Sequence, residues 1–388
     1  MKFAHLADCH IGGWREEKLR ELSIKTFEKA IDIIIEENVG FVLICGDLFD
    51  TALPSIDLLK EVARILDKLR KRNISVYVIP GSHDFSPSGK TMLDVLEKAG
   101  LLVNVVRFKD GKLRLMEDKT GVKITGLYGK KGGLEKKEYG DLEIENGNGF
   151  KIFMFHTAIT EFKPSELEKV ESLDLEKLPK GFRYYAGGHV HYVFEKEVDG
   201  SKIVFPGALF PNNFKELEEF KSGGFYIVDD KLNMRYVKIG LKDVVSFCFN
   251  FDGKKVEDVE RELMNIKNVD DKLVTLRLEG VLENKVSDID FKKIFDGLYE
   301  KGAFLVLRNA NKLKSREFEE IVIEGEVDDI EKRIIGEHIG KIKIRLNEEK
   351  LIIDLMKVFD VNKEEGERNV DFEDRIFKNA MGVLGEND

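Results

Sequence analysis

Five apolar runs in the first 191 residues each end in an aspartate, a histidine or both, and this recurrence constrains the fold more than any other feature of the chain. "KFAHLADCH" leads to Asp8 and His10, "FVLICGDLFD" to Asp47 and Asp50, and "VYVIPGSHD" to His83 and Asp84. "FKIFMFH" closes on His156 and "YYAGGHVH" on His189 and His191. Short runs rich in β-branched and aromatic residues, bounded by glycine and polar residues, read as strands. Between the first of them lie helical patterns, over residues 15–37 and over Ser55 to Arg72. Strands alternating with amphipathic helices predict βαβ units and a largely parallel sheet. In such sheets ligands bind outside the carboxyl ends of the strands. That is where all five segments place their polar residues.

Further along, "VKITGLYG", "SKIVFPG" and "GGFYIV" add strands with fewer helices between them. The expected architecture for residues 1–240 is an α/β sandwich of two sheets with helices outside. From residue 241 the style changes. "VVSFCFNF", "KLVTLRL" and "AFLVLRN" alternate with helical patterns over 254–267 and 288–300, predicting a small β-α-β-α-β domain across 241–324. Residues 325–388 are charged and mainly helical. Leu351, Leu355, Val358 and Phe359, then Phe372, Ile376, Phe377 and Met381, form apolar stripes at helical spacing. The stripes either pack on each other or grip a partner helix.

Five polar strand ends in series call for one chemistry. A lone aspartate after a strand is often a helix N-cap, and a lone histidine is often a satisfied polar residue. The full series argues instead for convergence. In an extended chain residues i and i+2 share a side, so Asp8 with His10, and His189 with His191, are expected to aim two donors at one point. Gly46, Gly81, Gly187 and Gly188 let the backbone turn and approach closely. Carboxylate plus imidazole without thiolate suits Mn²⁺, Fe²⁺ or Zn²⁺ better than a soft metal or a site for Mg²⁺ alone. His5 lies inside the first strand and reads as a buried structural residue. His338 reads as exposed, and Cys9 and Cys45 as small core residues. The lysine-rich "YGKKGGLEKKEYG" reads as a solvated turn rather than a phosphate contact. Trp14 either packs at the mouth of the site or stacks on a base.

Composition narrows the setting. The three cysteines form neither a disulfide framework nor a CxxC site, which fits a reducing cytoplasm. No segment reads as a signal peptide or a membrane span, so a cytoplasmic location is expected. A net charge of −10 argues against a protein that coats nucleic acid generally, though not against a cation that recruits phosphate. The absence of glutamine, with abundant Lys, Glu and Ile, leans towards a thermophile.

Taken in order, "DCH", "GDLFD", "GSHD", "FH" and "GHVH" resemble the series D-x-H, G-D-x-x-D, G-N-H-D, H and G-H-x-H of the calcineurin-like metallophosphoesterases. The likeness spans about residues 1–230. The opening "MKFAHLADCHIGG", the "GDLFD" loop and "FPGALFPNNFKELEEFKSGGFYIVDD" are similar to the double-strand-break repair nuclease branch, the meiotic recombination eleven and SbcD proteins. The resemblance implies two divalent cations, Mn²⁺ first, with Fe²⁺, Zn²⁺ or Mg²⁺ as alternatives. It places Asp8, His10 and His191 on one cation, His156 and His189 on the other, and Asp47 between them. His83 would meet the scissile phosphate and Asp84 would orient it. DNA, a homodimer and an ABC-type repair ATPase with a coiled coil are the implied partners. The small domain would be a DNA cap and the tail the ATPase grip.

Two positions depart from the pattern. Ser82 stands where the family has a metal-ligating Asn, and Asp50 where the repair nucleases commonly have His. A hydroxyl is a poorer donor, so a weaker second cation is expected at Ser82. Asp50 is expected to add negative charge close to the substrate. The leading expectation is a DNA exonuclease or endonuclease, in a divergent paralogue. The alternatives are a small-nucleotide phosphodiesterase, and a regulatory DNA-binding subunit with a weakened site.

Overall fold

In a computed structural model of the chain, Phe41–Cys45 lies near the middle of a six-stranded sheet. The structure describes residues 1–86, 91–164, 170–316, 348–361 and 369–384. The first sheet runs Met234–Ile239, Gly223–Asp229, Lys2–Leu6, Phe41–Cys45, Ser75–Ile79 and Val103–Asn104. The last four strands are parallel, while Gly223–Asp229 joins Lys2–Leu6 antiparallel and is followed antiparallel by Met234–Ile239. A second six-stranded sheet runs Phe194–Val198, Ser201–Phe205, Tyr184–Gly188, Lys151–His156, Lys123–Gly126 and Met116–Glu117. It is parallel in its centre and antiparallel at both edges. The expected parallel character therefore holds in the centres and at the Val103–Asn104 edge of the first sheet, and is broken at the other edges. Met234–Ile239, Ser201–Phe205 and Lys123–Gly126 each follow the preceding strand through a short turn, and a short turn permits only antiparallel pairing.

The two sheets pack face to face. Phe3, Phe41, Leu43 and Ile79 of one meet Ile152, Met154, Tyr184 and Val204 of the other, all buried. The Phe3 ring stacks on Phe41 at 5.2 Å and meets Tyr184 edge-on at 5.1 Å. On the outer face of the first sheet, helices Glu17–Glu36 and Ile56–Lys71 bury Phe27, Ile31, Ile34, Val62, Ile65 and Leu66. Central strands buried on both faces explain why they read as continuous apolar runs rather than alternating ones. The helices are tied across their polar faces by Arg64 to Glu28 at 2.9 Å and Lys68 to Asp32 at 2.8 Å.

After residue 241, strands Val244–Asn250, Leu273–Leu282 and Leu305–Ser315 form a parallel three-stranded sheet in that order. Helices Val256–Met264 and Phe291–Glu300 cover it, around a core that includes Phe251, Leu263, Leu276, Ile294 and Leu298. A seam of Leu19, Leu22, Phe210, Leu217, Leu273 and Leu305 joins this small domain to the sandwich, and Trp14 packs into it. The two form one unit ending at Arg316. The expected boundary at residues 240 and 241 falls in the short link between Met234–Ile239 and Val244–Asn250.

In the second unit, helices Glu348–Phe359 and Asn369–Leu384 lie against each other. Their stripes are only partly covered: Phe359 is 62% and Phe377 67% exposed. The expected boundary at residues 324 and 325 and His338 fall outside the described residues. Among the described residues no helix is long and apolar enough to cross a membrane.

Candidate metal centre

The strand ends named above meet in space. Strands Lys2–Leu6, Phe41–Cys45 and Ser75–Ile79 run parallel, so the segments after them leave the same edge of the first sheet. In the second sheet Gly188 is the register partner of His156. Three groups of donors result: Asp8, His10 and His191; Asp8, Asp47 and His156; and His10, Asp50 and His83, with the ligand atoms of each group within 4.8 Å of one another. Asp8, His10, Asp47 and His156 are almost fully buried, and His191, Asp50 and His83 are partly exposed.

The convergence does not come from extended backbone. Asp8, His10, Asp47 and His189 have φ of 49°, 42°, 52° and 85°, in the left-handed region that L residues rarely enter. The expected strand-like i, i+2 geometry is replaced by tight turns held from a distance. Asp8 N donates to Gly46 O at 3.1 Å and His10 N to Asp47 O at 2.9 Å. His189 N donates to the Asp8 carboxylate at 2.9 Å. The paired glycines answer a separate need for space. A Cβ on Gly188 would lie 1.9 Å from Cys45 O, and one on Gly46 2.1 Å from His156 Nδ1.

The imidazoles are oriented from behind. His10 Nδ1 donates to Asp50 Oδ1 at 3.1 Å, and His191 Nδ1 to Glu216 Oε1 at 2.8 Å. Both Nε2 atoms are thereby left as acceptors, and they face each other at 3.1 Å. Two lone pairs at that distance require a proton or a cation between them. His156 Nδ1 donates to Cys45 O at 2.8 Å. Its buried Nε2 lies 3.2 Å from Asp47 Oδ2 and makes no hydrogen bond. Opposed acceptors and an orphaned buried nitrogen beside carboxylates are the features expected of residues that hold cations. Asp47 Oδ2 also lies 3.7 Å from His10 Nε2, so this oxygen is near both His10 and His156, and Asp8 is common to two of the groups that hold them.

Protons occupy the place of cations in the electrostatics. Burial would push His156 down, but Asp47 and Asp8 overcome it and hold it up at about 10. Burial likewise opposes His191, which Glu216 and Asp8 raise to about 9. His189 goes the other way, lowered to about 3 by burial and by its neighbour His156, so it is a neutral imidazole available as a ligand. Its ring lies 5.2 Å from that of His156, but it joins none of the three compact donor groups. Asp47 is held well below the usual carboxylate range: burial opposes this, and His156 and His10 prevail.

Ser82 Oγ donates to Asp47 Oδ2 at 3.4 Å, so it leans on that carboxylate. His83 is anchored through its backbone N–H to Asp47 Oδ1 at 2.8 Å, and its side chain is 41% exposed. The expected orienting role of Asp84 is filled by another residue. Asp84 accepts from the backbone N–H groups of Leu48, Phe49 and Gly81, knitting two loops together, and burial with nearby Asp47 pushes it up to about 6. His83 Nδ1 instead donates to the backbone carbonyl of Asp50 at 2.7 Å. The Asp50 carboxylate, expected beside the substrate, is engaged by His10 and by Asn212 Nδ2 at 3.4 Å.

Glu216 was not expected from the sequence. It is the third residue of a short helix, Phe214–Phe220, and the pattern around it reads as an ordinary capped surface helix. Elsewhere the bland readings hold. Lys130 pairs with Glu138 and Lys136 with Glu171, so these two lysines of the 128–140 loop are spent internally. Trp14 Nε1 donates to Pro211 O at 2.8 Å. His5 is fully buried, between Tyr184 Oη at 2.9 Å and Gly187 O at 3.1 Å. Beside His189 and His191 opens a cavity of about 1160 Å³, lined also by Phe162, Tyr192, Phe194, Lys196 and Lys215.

Residues 1–193 match the family described as calcineurin-like phosphoesterase. A protein of Methanocaldococcus jannaschii described as DNA double-strand break repair protein Mre11 is 30% identical, over 64% of this chain and 71% of its own length. The chain belongs to the Mre11 family of calcineurin-like phosphoesterases. Other Mre11 proteins agree: that of Archaeoglobus fulgidus is 28% identical over 75% of this chain and 69% of its own, and that of Thermoplasma acidophilum 29% identical over 76% and 82%. The chain is thus a metal-dependent phosphoesterase of this family, and the donor set fits divalent cations.

Proposed function

We propose that the chain is a DNA phosphodiesterase that uses two divalent cations, Mn²⁺ foremost, and works with an ABC-type ATPase carrying a coiled coil. The carrying observation is the gathering of Asp8, His10, Asp47, His156 and His191 around one point, with the half-exposed His83 at its mouth. Asp8, His10 and His191 would hold one cation, His156 and His189 the other, and Asp47 would touch both. When bound, the cations supply Lewis acidity and neutralise charge at the phosphate. Every other task falls to the chain's own residues. Asp50 and Glu216 fix the tautomers of His10 and His191, so that Nε2 is the ligating nitrogen. The Asp50 carbonyl holds the proton of His83 on Nδ1. Nε2 is then the nitrogen that exchanges a proton with the departing oxygen or meets the phosphate charge.

Three features support DNA over a small phosphoester. The relatives are DNA double-strand break repair proteins. A small substrate needs no appended β-α-β-α-β domain beside the site. The cavity next to His191 is broad and carries Lys196 and Lys215. The exposed Phe359 and Phe377 on the tail helices support a helical partner. The test is a Mn²⁺-dependent digestion panel of single- and double-stranded DNA beside a nitrophenyl phosphodiester, with EDTA controls. Cleavage of DNA abolished by EDTA is expected. Hydrolysis of the small ester with no action on any DNA would refute the DNA assignment.

A further inference from the structure

Glu216 does more than touch His191. Its Oε1 also accepts from Asn213 Nδ2 at 2.5 Å, and its Oε2 from Asn212 N at 2.8 Å. The same Asn213 caps the helix, accepting from Glu216 N at 3.0 Å. The carboxylate is therefore fixed by its own helix start, and wherever that helix sits, the His191 imidazole must follow.

The other faces of this helix are bolted to the small domain. Glu218 forms a two-pronged ion pair with Arg277, on the central strand of the three-stranded sheet, with Nε 3.0 Å from Oε2 and 3.2 Å from Oε1. Both side chains are mostly covered, Arg277 at 24% and Glu218 at 14% exposure, so the pair is less screened than a surface one. The guanidinium also lies over the Phe214 ring at 5.4 Å, and Phe214 and Glu218 share a helix face at i, i+4. Leu217 is buried in the seam, and Lys221, just past the helix, bonds to Ser246 of the small domain. One helix of two turns thus touches a metal ligand with one residue and the appended domain with its neighbours.

We infer that the helix Phe214–Phe220 transmits the placement of the appended domain to the metal centre: Glu216 is a positioning residue for His191, and Arg277 acts on the centre through Glu218 and Glu216. This rests on the reading of Asp8, His10 and His191 as a cation site. It makes cation affinity depend on a domain that contributes no ligand.

The experiment titrates the full chain with Mn²⁺ alone, following bound ion by calorimetry and by its electron paramagnetic resonance signal. Glu216→Gln should weaken the tighter site by about 10–100-fold, the usual cost of losing a carboxylate behind a metal-bound histidine. Arg277→Met should weaken it by a smaller factor, and the double variant should be no worse than Glu216→Gln alone, because one acts through the other. Exchanging the charges, Glu218→Arg with Arg277→Glu, should recover part of the affinity. Arg308→Met is the control. It removes another cation–ring contact of the same domain, over Phe291 at 3.6 Å, and should leave Mn²⁺ binding unchanged. Unchanged affinity in Arg277→Met, or a double variant whose loss is the product of the two single losses, would overturn the inference while leaving the metal site standing. If Arg277→Met does not fold, Glu218→Gln carries the same test from the helix side. A wild-type chain that takes up no Mn²⁺ would overturn the site itself.

Discussion

Replacing His5 with phenylalanine should remove part of the fold's sensitivity to acid. His5 joins the two sheets: with Nε2–H donating to Gly187 O, Nδ1 accepts from the Tyr184 hydroxyl. Burial lowers it from 6.5 to about 3, against the bond to Gly187. The sign follows from linkage. The unfolded chain takes up a proton on this residue near pH 6.5 and the folded chain does not, so stability falls as pH drops below 6.5. At about 1.4 kcal/mol per pH unit, the loss by pH 4.5 is about 2.7 kcal/mol. At pH 7 the variant pays a different cost, because Tyr184 Oη and Gly187 O lose their partner; roughly 2–4 kcal/mol is expected. The wild-type advantage should therefore shrink by nearly 3 kcal/mol between pH 7 and pH 4.5, to about zero or 1. Urea unfolding of both proteins in EDTA at pH 7, 6, 5 and 4.5 measures this directly. The pairwise difference cancels the titration of every other group. A difference that stays constant across that range would show that His5 protonation is not linked to folding, and the argument from its burial would fail.

Ser82→Asn should tighten the weaker cation by about tenfold, near 1.4 kcal/mol, because an amide carbonyl replaces a hydroxyl now leaning on Asp47; Mn²⁺ titration showing no change in either site would contradict it. His83→Ala should keep both cations and lose roughly 10²–10³-fold in turnover, since its side chain is 41% exposed and its Nδ1 is held by the Asp50 carbonyl. Parallel loss of cation and rate would make it a ligand. Deleting residues 345–388 should leave a folded, cation-binding phosphoesterase, because the unit ending at Arg316 has its own cores. The same deletion should abolish co-purification with the ATPase, and a fall in melting temperature like that of a core deletion would show the tail to be structural instead.

The convergence of the strand-end residues was legible because their signals are local. A strand run followed by glycine and a polar residue announces both the strand and its end, and parallel strands bring such ends to one edge. The small domain was legible for the same reason, as each of its strands and helices carries its own period. Backbone detail was not. The pairs Asp8–His10 and His189–His191 suggested extended chain, and only contacts with Gly46, Asp47 and Asp8 from distant loops explain the turns instead. The partners of Asp84 had no local signature either, because its three backbone N–H donors come from two loops distant in sequence. Glu216 had no local signature at all. Beside Glu218 and Glu219 it is one acid among three, and its value depends on His191, 25 residues upstream.

The left-handed backbone at Asp8, His10, Asp47 and His189 restricts which substitutions can be interpreted. Asp, Asn and His tolerate that conformation better than most residues, and glycine tolerates it best. Each position thus selects its residue twice, once for a donor atom and once for a torsion angle. An alanine there changes both at once, adding a conformational penalty of roughly 1 kcal/mol to the loss of a ligand. Asparagine at 8 or 47 alters the charge and leaves the torsion satisfied. Exchange of Asp for Asn is accordingly the substitution that isolates chemistry from folding at these sites, and alanine scanning will overstate what each carboxylate does for the cation. The same double demand bears on drift. A lineage that lost an aspartate here to a β-branched residue would have to rebuild the loop before it could regain the ligand.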